Sequence, residues 1–530
     1  MSQDSFPATV CPGTPLLCAT AGLTGALVMV IEILGARIIG PFFGVSLYVW
    51  TALISVTLLA LALGYAAGGW LADRRPSAAI LYLLIGMAGC WLVLLPLFKA
   101  AVLEATMGAG LRLGSFLAAS MLFGIPLVLL GCVSPFLLRL AALDLGRIGR
   151  TAGLLYAIST AGSFVGAAGT GFYLLGSFGV IATLRLSGGA LLILACVYFA
   201  ASRQWRALPL AAGLLPLVWT PPTTLEARLV DGTSARIVWA RDSFYGALKV
   251  VEYQGGGLRT RELTIDGLIQ GGVDAVSGQS IYEYAYLLER LPLALRPGGR
   301  KVLMVGLGTG VAARALAARG LEVDVVELDP RVHEAAVRHF AFPPTIPVAI
   351  EDARTFLAQH GKAYDYLLID VFNGDTTPGY LLSREALRAA KARLSPGGVL
   401  AFNLMGSTDP KEGMLPSILA TLSEQFRTVR VQPAGVKADA VWGNYVVLAS
   451  DGPAEYARAP DAGQIHPLAA DVPALLLSPP LPIQWTGAAP LTDDFNPLDL
   501  RDSRLKELVR RELLNTTPPP ILHALPGNLG

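Results

Sequence analysis

The chain is expected to fold as a multi-domain protein: an α-helical transmembrane bundle, a small β-rich lead-in, and a Rossmann-like α/β domain. Three observations predict this. Only 15% of the 530 residues are charged and 53% are hydrophobic, against about 25% charged in ordinary soluble domains. The charge is uneven: up to Trp219 there are 16 charged side chains, 11 basic and 5 acidic, leaving 30 basic and 34 acidic for the other 311 positions. Beyond residue 300, short apolar runs alternate with helical patterns, and the first run ends in a glycine-rich turn. The composition excludes disorder, and a net charge of +2 gives no reason to expect a nucleic-acid partner.

A spanning helix needs about 20 mostly apolar residues. Six stretches meet this, at 15–34, 47–67, 79–97, 115–138, 152–175 and 182–201. A seventh run, 207–219, is shorter and carries Pro209 and Pro216. At 1.5 Å per residue it reaches about 20 Å, against a hydrocarbon core near 30 Å. An interfacial or partly inserted segment is expected there. Arg74, Arg75, Arg139, Arg147, Arg150, Arg203 and Arg206 gather on one side of the bilayer, and Arg37, Lys99, Arg112 and Arg185 on the other. The basic bias puts the N-terminus inside, and six spans then return the rest of the chain to the cytoplasm. The expected location is therefore a multi-pass protein of the cell (inner) membrane with a cytoplasmic catalytic domain. The opening MSQDSFPATV lacks a basic region, so no cleaved signal peptide is expected.

Gly64 with Gly68, and Gly162 with Gly166, form GxxxG pairs, the spacing that lets helix backbones approach in lipid. Glu32 is the one acid well inside a span. An intramembrane carboxylate suggests function, while Arg37, five residues on, offers a structural ion pair. All five cysteines, Cys11, Cys18, Cys90, Cys132 and Cys196, lie in this first part without a CxxC pair. Neither a disulfide framework nor a zinc site is expected.

Residues 236–239, 247–252 and 261–265 read as short strands, the last closing at the turn pair Asp266-Gly267. A helix is expected at about 280–291, carrying Tyr282, Tyr284 and Tyr286. The resulting organisation is 1–219 transmembrane, 220–300 β-rich lead-in, 301–450 Rossmann-like, and 451–530 a Pro-rich extension without clear periodicity.

The chemistry concentrates after residue 300. A buried-strand run, 301–305, leads straight into Gly306-Leu-Gly308-Thr-Gly310, and 311–318 reads as a helix. A second strand, 322–326, ends in Glu327-Leu-Asp329. Glycines let a backbone approach a ligand at a helix N-terminus, and an acid about 20 residues later accepts bonds from ribose hydroxyls. This spacing alone does not separate a nicotinamide dinucleotide from an S-adenosyl ligand. Glu351-Asp352-Ala353 ends a third strand, where an acid can meet an adenine amino group. Asp370 stands at the carboxyl end of a fourth strand, 366–369, the edge where open α/β sheets bind ligands. Ser395-Pro-Gly-Gly398 then turns into a fifth strand, 399–404. This succession is typical of an S-adenosylmethionine-type transferase domain.

From about Arg241 to Ala449 the chain resembles the spermidine synthase family of polyamine aminopropyltransferases. The residues that carry the resemblance are Ser243-Phe-Tyr-Gly246, Asp266-Gly-Leu-Ile-Gln270, Tyr284 before Leu291-Pro292-Leu293, the glycine loop, Glu327-Leu-Asp329, Asp352-Ala353, Asp370 with Pro378, and Trp442-Gly-Asn-Tyr-Val446. Glu32-Ile-Leu-Gly-Ala-Arg37, Pro41-Phe-Phe-Gly44, Tyr48-Val-Trp-Thr51, Tyr156-Ala-Ile-Ser-Thr160 and Leu491-Thr-Asp-Asp494 resemble the membrane-fused subfamily. The resemblance implies that Gly306, Gly308, Gly310, Glu327, Asp352 and Ala353 bind the nucleoside, and that Asp370 is the catalytic acid–base group. It implies a substrate-binding set of Gln270, Tyr284, Asp266 and Pro378, with Tyr284 lining an amine channel.

Several positions depart from the family pattern. Thr309 stands where the soluble enzymes usually carry Asp. Ala285 and Tyr286 replace Gln or His followed by Glu, Asn373 replaces the second Asp of Asp-x-x-Asp, and Gly246 replaces an early glutamine. The nucleoside half is retained, while the amine half has lost polar groups. Glu283 and Asp375 are candidates to compensate.

The expected reaction transfers an aminopropyl group from decarboxylated S-adenosylmethionine to an amine such as putrescine. It needs no metal. The expected partners are a small-molecule amine and the lipid bilayer, with a homo-oligomer left open. One alternative is a methyltransferase using S-adenosylmethionine itself; another is a transporter or sensor whose soluble domain only binds ligand. The five histidines, His333, His339, His360, His466 and His523, form no constellation with Ser or Cys, so hydrolase chemistry is set aside.

Overall fold

The computed structural model describes residues 13–44, 47–141, 148–204, 212, 225–229, 231–372, 377–408, 414–435, 442–518, 521–522 and 524. The chain forms two compact units, residues 1–224 with 523–528, and residues 225–522 with 529–530.

Among the described residues of the first unit, five helices are long and apolar enough to cross a membrane: Thr14–Phe43, Leu47–Arg74, Ala78–Met107, Gly110–Ala141 and Ile148–Ala201. A helix satisfies every main-chain polar group internally, which a hydrocarbon environment demands. The stretches expected at 152–175 and 182–201 share the last, 54-residue run. Gly179, with φ 77° and ψ 177°, interrupts it. On the first leg, a Cβ at Gly162 would lie 2.0 Å from the Gly22 carbonyl oxygen, and one at Gly166 2.3 Å from that of Ala26. That leg therefore runs parallel to Thr14–Phe43. On the second leg, Tyr198 stacks on Tyr82 with ring centroids 4.2 Å apart, while Gly188 abuts Gly89. It runs antiparallel to Ala78–Met107. The first and third helices are parallel, because Thr20 meets Tyr82 at one end, and Phe43 and Thr106 both meet Gly114 at the other. The two legs flanking Gly179 consequently point in opposite directions. Of the seventh run, 207–219, only Ala212 is among the described residues.

The second unit holds two sheets. The first is an antiparallel meander of five strands in sequential order, β1 (Glu226–Arg228), β2 (Ser234–Asp242), β3 (Ala247–Gly255), β4 (Leu258–Ile265) and β5 (Leu268–Asp274). Two-residue turns close β3–β4 and β4–β5, with φ of 56° and 78° at Gly256-Gly257 and 48° and 83° at Asp266-Gly267. Positive φ at both positions matches the right-handed twist of the flanking strands. The lead-in is thus more extensively β than the three expected runs.

The second sheet has seven strands: β6 (Lys301–Val305), β7 (Glu322–Glu327), β8 (Val348–Ile350), β9 (Tyr364–Ile369), β10 (Leu394–Ser407), β11 (Thr428–Pro433) and β12 (Trp442–Ser450). Their order is β11-β12-β10-β9-β6-β7-β8. Strands β6 to β10 pair in parallel, and β12 is antiparallel to both its neighbours. Side chains alternate between two cores. Val302 and Met304 of β6 pack with Leu287, Leu291, Leu316 and Val332; Leu303 and Val305 pack with Phe356, Leu387 and Leu419. Both faces are covered, the arrangement a Rossmann-like sheet requires.

The helix expected at about 280–291 forms at Glu283–Leu295 and tolerates Pro292. The extension after 450, expected to lack periodicity, contains Val472–Leu477, Leu498–Arg501 and Ser503–Thr516. In the last helix Leu505 and Leu513 are buried together with Lys506 and Arg510, each only 3% exposed. Whole charged side chains complete its buried face, Arg510 donating to the Asp266 carbonyl at 2.8 Å, so a count of apolar residues does not reveal it.

Candidate active site

Strand β6 delivers Gly306, Gly308 and Gly310 to the carboxyl edge of the sheet with φ of 89°, 54° and 72°. These left-handed values favour glycine. A Cβ at Gly306 would lie 2.1 Å from the carbonyl oxygen of Asp370, and one at Gly310 2.4 Å from the Phe342 ring. Glu327, ending the neighbouring β7, fastens the loop: its Oε2 accepts from the Leu307 N–H at 2.9 Å and its Oε1 from the Asp329 N–H at 2.9 Å. Burial pushes the Glu327 carboxyl above its usual range, against the pull of those main-chain bonds.

Asp370 follows β9, and its own N–H bonds the Val305 carbonyl at 2.9 Å. Its Oδ1 accepts from Asn403 Nδ2 at 2.8 Å. The neighbour arises from register, since β9 and β10 pair in parallel with Ile369 opposite Phe402. Burial raises the Asp370 carboxyl to about 6, opposed by the Asn403 bond.

Asp352 caps the helix Ala353–Gln359 by accepting from the Thr355 N–H at 3.0 Å, and its other oxygen accepts from Tyr380 OH at 3.1 Å. Tyr380 sits on the single turn Gly379–Leu381, opened by the buried Pro378. Desolvation and the nearby Asp352 push its hydroxyl up to about 12. Tyr245, on the Ser243–Gly246 turn, has its hydroxyl raised by desolvation and by Asp329, Asp352 and Glu327. That turn is held by Ser243 Oγ, which accepts from the N–H groups of Tyr245 and Gly246.

These elements border an open cleft, whose walls include Gln270, Gly306, Gly308, Glu327, Ala353, Asp370, Phe372 and Tyr380. Thr309 is buried, and Tyr284 donates to the Gln270 carbonyl at 3.3 Å. Burial and the Asp370 charge keep the Tyr284 hydroxyl protonated.

Of the four expected substrate-binding residues, only Gln270 is part of the cleft wall; Tyr284, Asp266 and Pro378 are not. The Asp266 carboxylate is committed to its hairpin, where Oδ1 accepts from the Ala247 N–H at 2.9 Å and the backbone has φ 48°. The residue is 4% exposed and is not part of the cleft wall. Its polar side chain serves the β4–β5 turn. Pro378, Asp352 and Gly310 are not in the wall, whereas Tyr380, Ala353 and Gly308 are. Asn373 and Asp375 lie outside the described residues. Glu283 is partly buried, its Oε2 3.7 Å from where a Gly435 Cβ would sit.

The sequence reading did not single out Asn403 and Tyr380. A lone Asn inside the apolar run 399–404 was a visible signal for the first; the second had none.

Residues 282–449 match the family model described as spermine/spermidine synthase domain. The chain is 31% identical over 225 residues to the polyamine aminopropyltransferase of Vibrio vulnificus, covering 39% of this chain and 72% of that one. It is 29% identical over 280 residues to the N-terminal histidine N-methyltransferase of Emericella nidulans, and the match spans 47% of this chain and about half, 49%, of that relative. A crystal structure of a probable spermidine synthase from Corynebacterium glutamicum aligns at 20% identity and TM-score 0.41, over 49% of this chain and 98% of that one. With the family model matched over 282–449 and a 31% identical relative covered over 72% of its length, the chain belongs to the spermine/spermidine synthase family of transferases.

Proposed function

We propose that the protein is a membrane-anchored aminopropyltransferase that moves an aminopropyl group from decarboxylated S-adenosylmethionine to an amine. The observation that carries this reading is Asp370: a carboxylate raised to about 6, bonded by Asn403 and set beside the glycine loop at the sheet's carboxyl edge. The donor fits the cradle. Gly306 and Gly308 leave room for a nucleoside, Glu327 keeps lone pairs free for ribose hydroxyls, and Ala353 with Tyr380 offers an apolar seat for a base.

The bound sulfonium supplies an electrophilic carbon next to a positively charged sulfur. Asp370 orients the acceptor ammonium, whose ordinary pKa is about 10.4, and takes its proton. The freed nitrogen lone pair forms the new C–N bond as the C–S bond breaks, and that bond's electrons go to sulfur. The sulfur leaves neutral, so the site has no developing anion to stabilise. Positioning and proton acceptance are the contributions asked of the chain, the latter worth roughly 10²–10⁴-fold.

A second reading, methyl transfer from S-adenosylmethionine to an amine nitrogen, is favoured by one observation. Among the described residues of the cleft wall, no carboxylate beyond Asp370, Glu327 and Glu351 is available for the far ammonium of a diamine, and a buried unpaired charge is costly. The same Asp370 chemistry serves either donor. Calorimetric titration with both nucleosides, followed by mass spectrometry of the product with putrescine as acceptor, separates the readings. Aminopropyl addition supports the first; methylation supports the second; binding of neither nucleoside overturns both.

The anchoring reading places the N-terminus and the catalytic domain in the cytoplasm, where S-adenosyl donors are made. A cytoplasm-active reporter fused after Gly530 is expected to be active and a periplasm-active one silent. The reverse pattern overturns this topology.

A further inference from the structure

The extension beyond residue 450 lies outside the matched family domain, yet it reaches the donor cleft. Leu491 is pinned between two elements: its N–H bonds Thr421 Oγ1 at 2.8 Å, and its carbonyl accepts from the Arg384 N–H at 2.8 Å. The next residues face the turn that carries Tyr380. Asp493 receives Arg354 through two parallel bonds, Nη1 to Oδ1 at 2.8 Å and Nη2 to Oδ2 at 2.7 Å. The same Nη1 reaches the Tyr380 carbonyl at 3.3 Å. Asn496 Nδ2 donates to the Gly379 carbonyl at 2.7 Å. The Asp493 N–H bonds Glu385 Oε2 at 3.0 Å, which fixes the strap itself.

The turn Gly379–Leu381 closes on itself only through the N–H groups of Leu381 and Leu382. The Gly379 carbonyl, which already accepts from the Leu382 N–H at 3.0 Å, also accepts from Asn496, and the Tyr380 carbonyl is reached by Arg354 of the Asp493–Arg354 pair. The Tyr380 ring is 40% exposed and forms part of the cleft wall, and its hydroxyl is tied to Asp352. An exposed ion pair is ordinarily weak, but a bidentate guanidinium–carboxylate fork adds orientation to its energy.

We propose that Asp493 and Asn496 are positioning residues for the donor nucleoside, setting the Tyr380 ring through Arg354 and Gly379 so that the base is received between Tyr380 and Ala353. The inference rests on the reading of the cleft as a donor site. It assigns the extension a role in recognising an aromatic base, with none in the transfer step.

The test titrates the full-length protein with S-adenosylmethionine and with its decarboxylated form, and measures steady-state transfer. Asp493→Asn is expected to weaken donor affinity and raise donor KM about fivefold, with kcat unchanged. Asp493→Glu, which restores the charge, is expected to recover most of the affinity. Tyr380→Phe combined with Asp493→Asn is expected to be no weaker than the worse single variant, because both act on one ring. If Asp493→Asn misfolds, Asn496→Ala asks the same question through the Gly379 carbonyl. Unchanged affinity in Asp493→Asn and Asn496→Ala overturns the proposal, as does a loss confined to kcat. A wild-type protein that binds neither nucleoside fails differently: it removes the donor cleft, and the proposal with it.

Discussion

The two halves of the cleft are built by different means. Around the donor, main chain does most of the work: both oxygens of Glu327 hold backbone N–H groups, Asp352 caps a helix, and Gly306 packs against the Asp370 carbonyl with no room for a Cβ. Around the acceptor there are few directed groups. Asp370 has one oxygen held by Asn403, Tyr284 spends its hydroxyl on the Gln270 carbonyl, and Thr309 is buried where the family pattern has an acid. On the proposed reading, donor recognition rests on backbone geometry fixed by the sheet, which side-chain exchange barely alters. On the same reading, acceptor choice rests on a handful of side chains, where one exchange changes the chemistry. A shared donor cradle with divergent acceptors is what this division permits.

The comparison breaks hardest at Asp370. Asp370→Asn keeps the shape and loses the proton acceptor, and transfer is expected to fall about 100-fold or more. Donor affinity, which depends on the other half, is expected to stay within a few-fold. Near-normal turnover would mean that another group takes the proton. Gly306→Ala attacks the donor half instead. Its Cβ must displace the Asp370 carbonyl, 2.1 Å away, at a φ of 89°. Donor binding is expected to weaken at least about tenfold, together with a lowered melting temperature, since strain at positive φ and overpacking both destabilise. Calorimetry and thermal unfolding check both effects, and an unaltered affinity would separate the glycine loop from the donor site.

Glu327→Gln sharpens the same half by a smaller step. The amide offers one acceptor where the carboxylate offers two, and its NH2 then meets either the Leu307 or the Asp329 N–H donor. Hydrogen bonds to a charged group are worth about 1.5–3 kcal/mol, so an affinity loss of roughly tenfold or more is expected by titration. If the loss falls on kcat alone, Glu327 does not touch the donor.

The donor half was legible because its residues sit next to one another in sequence. Gly306, Gly308 and Gly310 follow an apolar strand directly, and Glu327 and Asp370 end the second and fourth runs of a βα alternation, whose parallel order brings strand ends to one edge. Asn403, Tyr380 and the Asp493–Arg354 fork were not legible, because register and long-range contact place them; 139 residues separate Arg354 from Asp493. Asp266 shows the converse. The Asp-Gly pair correctly marks a tight turn, but the turn itself consumes the carboxylate expected at the amine. The break at Gly179 falls between the two spans expected at 152–175 and 182–201; only the residue that makes it needed the structure, since within an apolar run glycine reads equally as helix packing. The short seventh run remains a matter of sequence alone.

The smallest expected effect probes the boundary between the halves, at Asn403. Its Nδ2 donates to Asp370 Oδ1, a bond that favours the charged carboxylate and so opposes the upward push of burial. The sign follows from the role of the group. Below about 6 Asp370 is protonated and cannot take a proton from the acceptor, so transfer falls about tenfold per pH unit on the acid side and levels off above. Ionising the buried carboxyl also works against the fold: the raised value means that stability declines as pH climbs from the ordinary 3.8 towards about 6, and is flat beyond. Asn403→Leu, close in volume, removes the donor and leaves the burial. The carboxyl then rises further, and the acid limb of kcat/KM is expected to move about one unit higher, the shift matching a single charged hydrogen bond of about 1.4 kcal/mol. At pH 8 and above, the variant and the wild type should converge, because Asp370 is ionised in both. A limb that stays in place would mean that the titrating group is not Asp370. A limb that moves down would mean that the Asn403 side chain presents its carbonyl oxygen, stabilising a protonated acid, and that the acceptor half is set to donate a proton rather than to receive one.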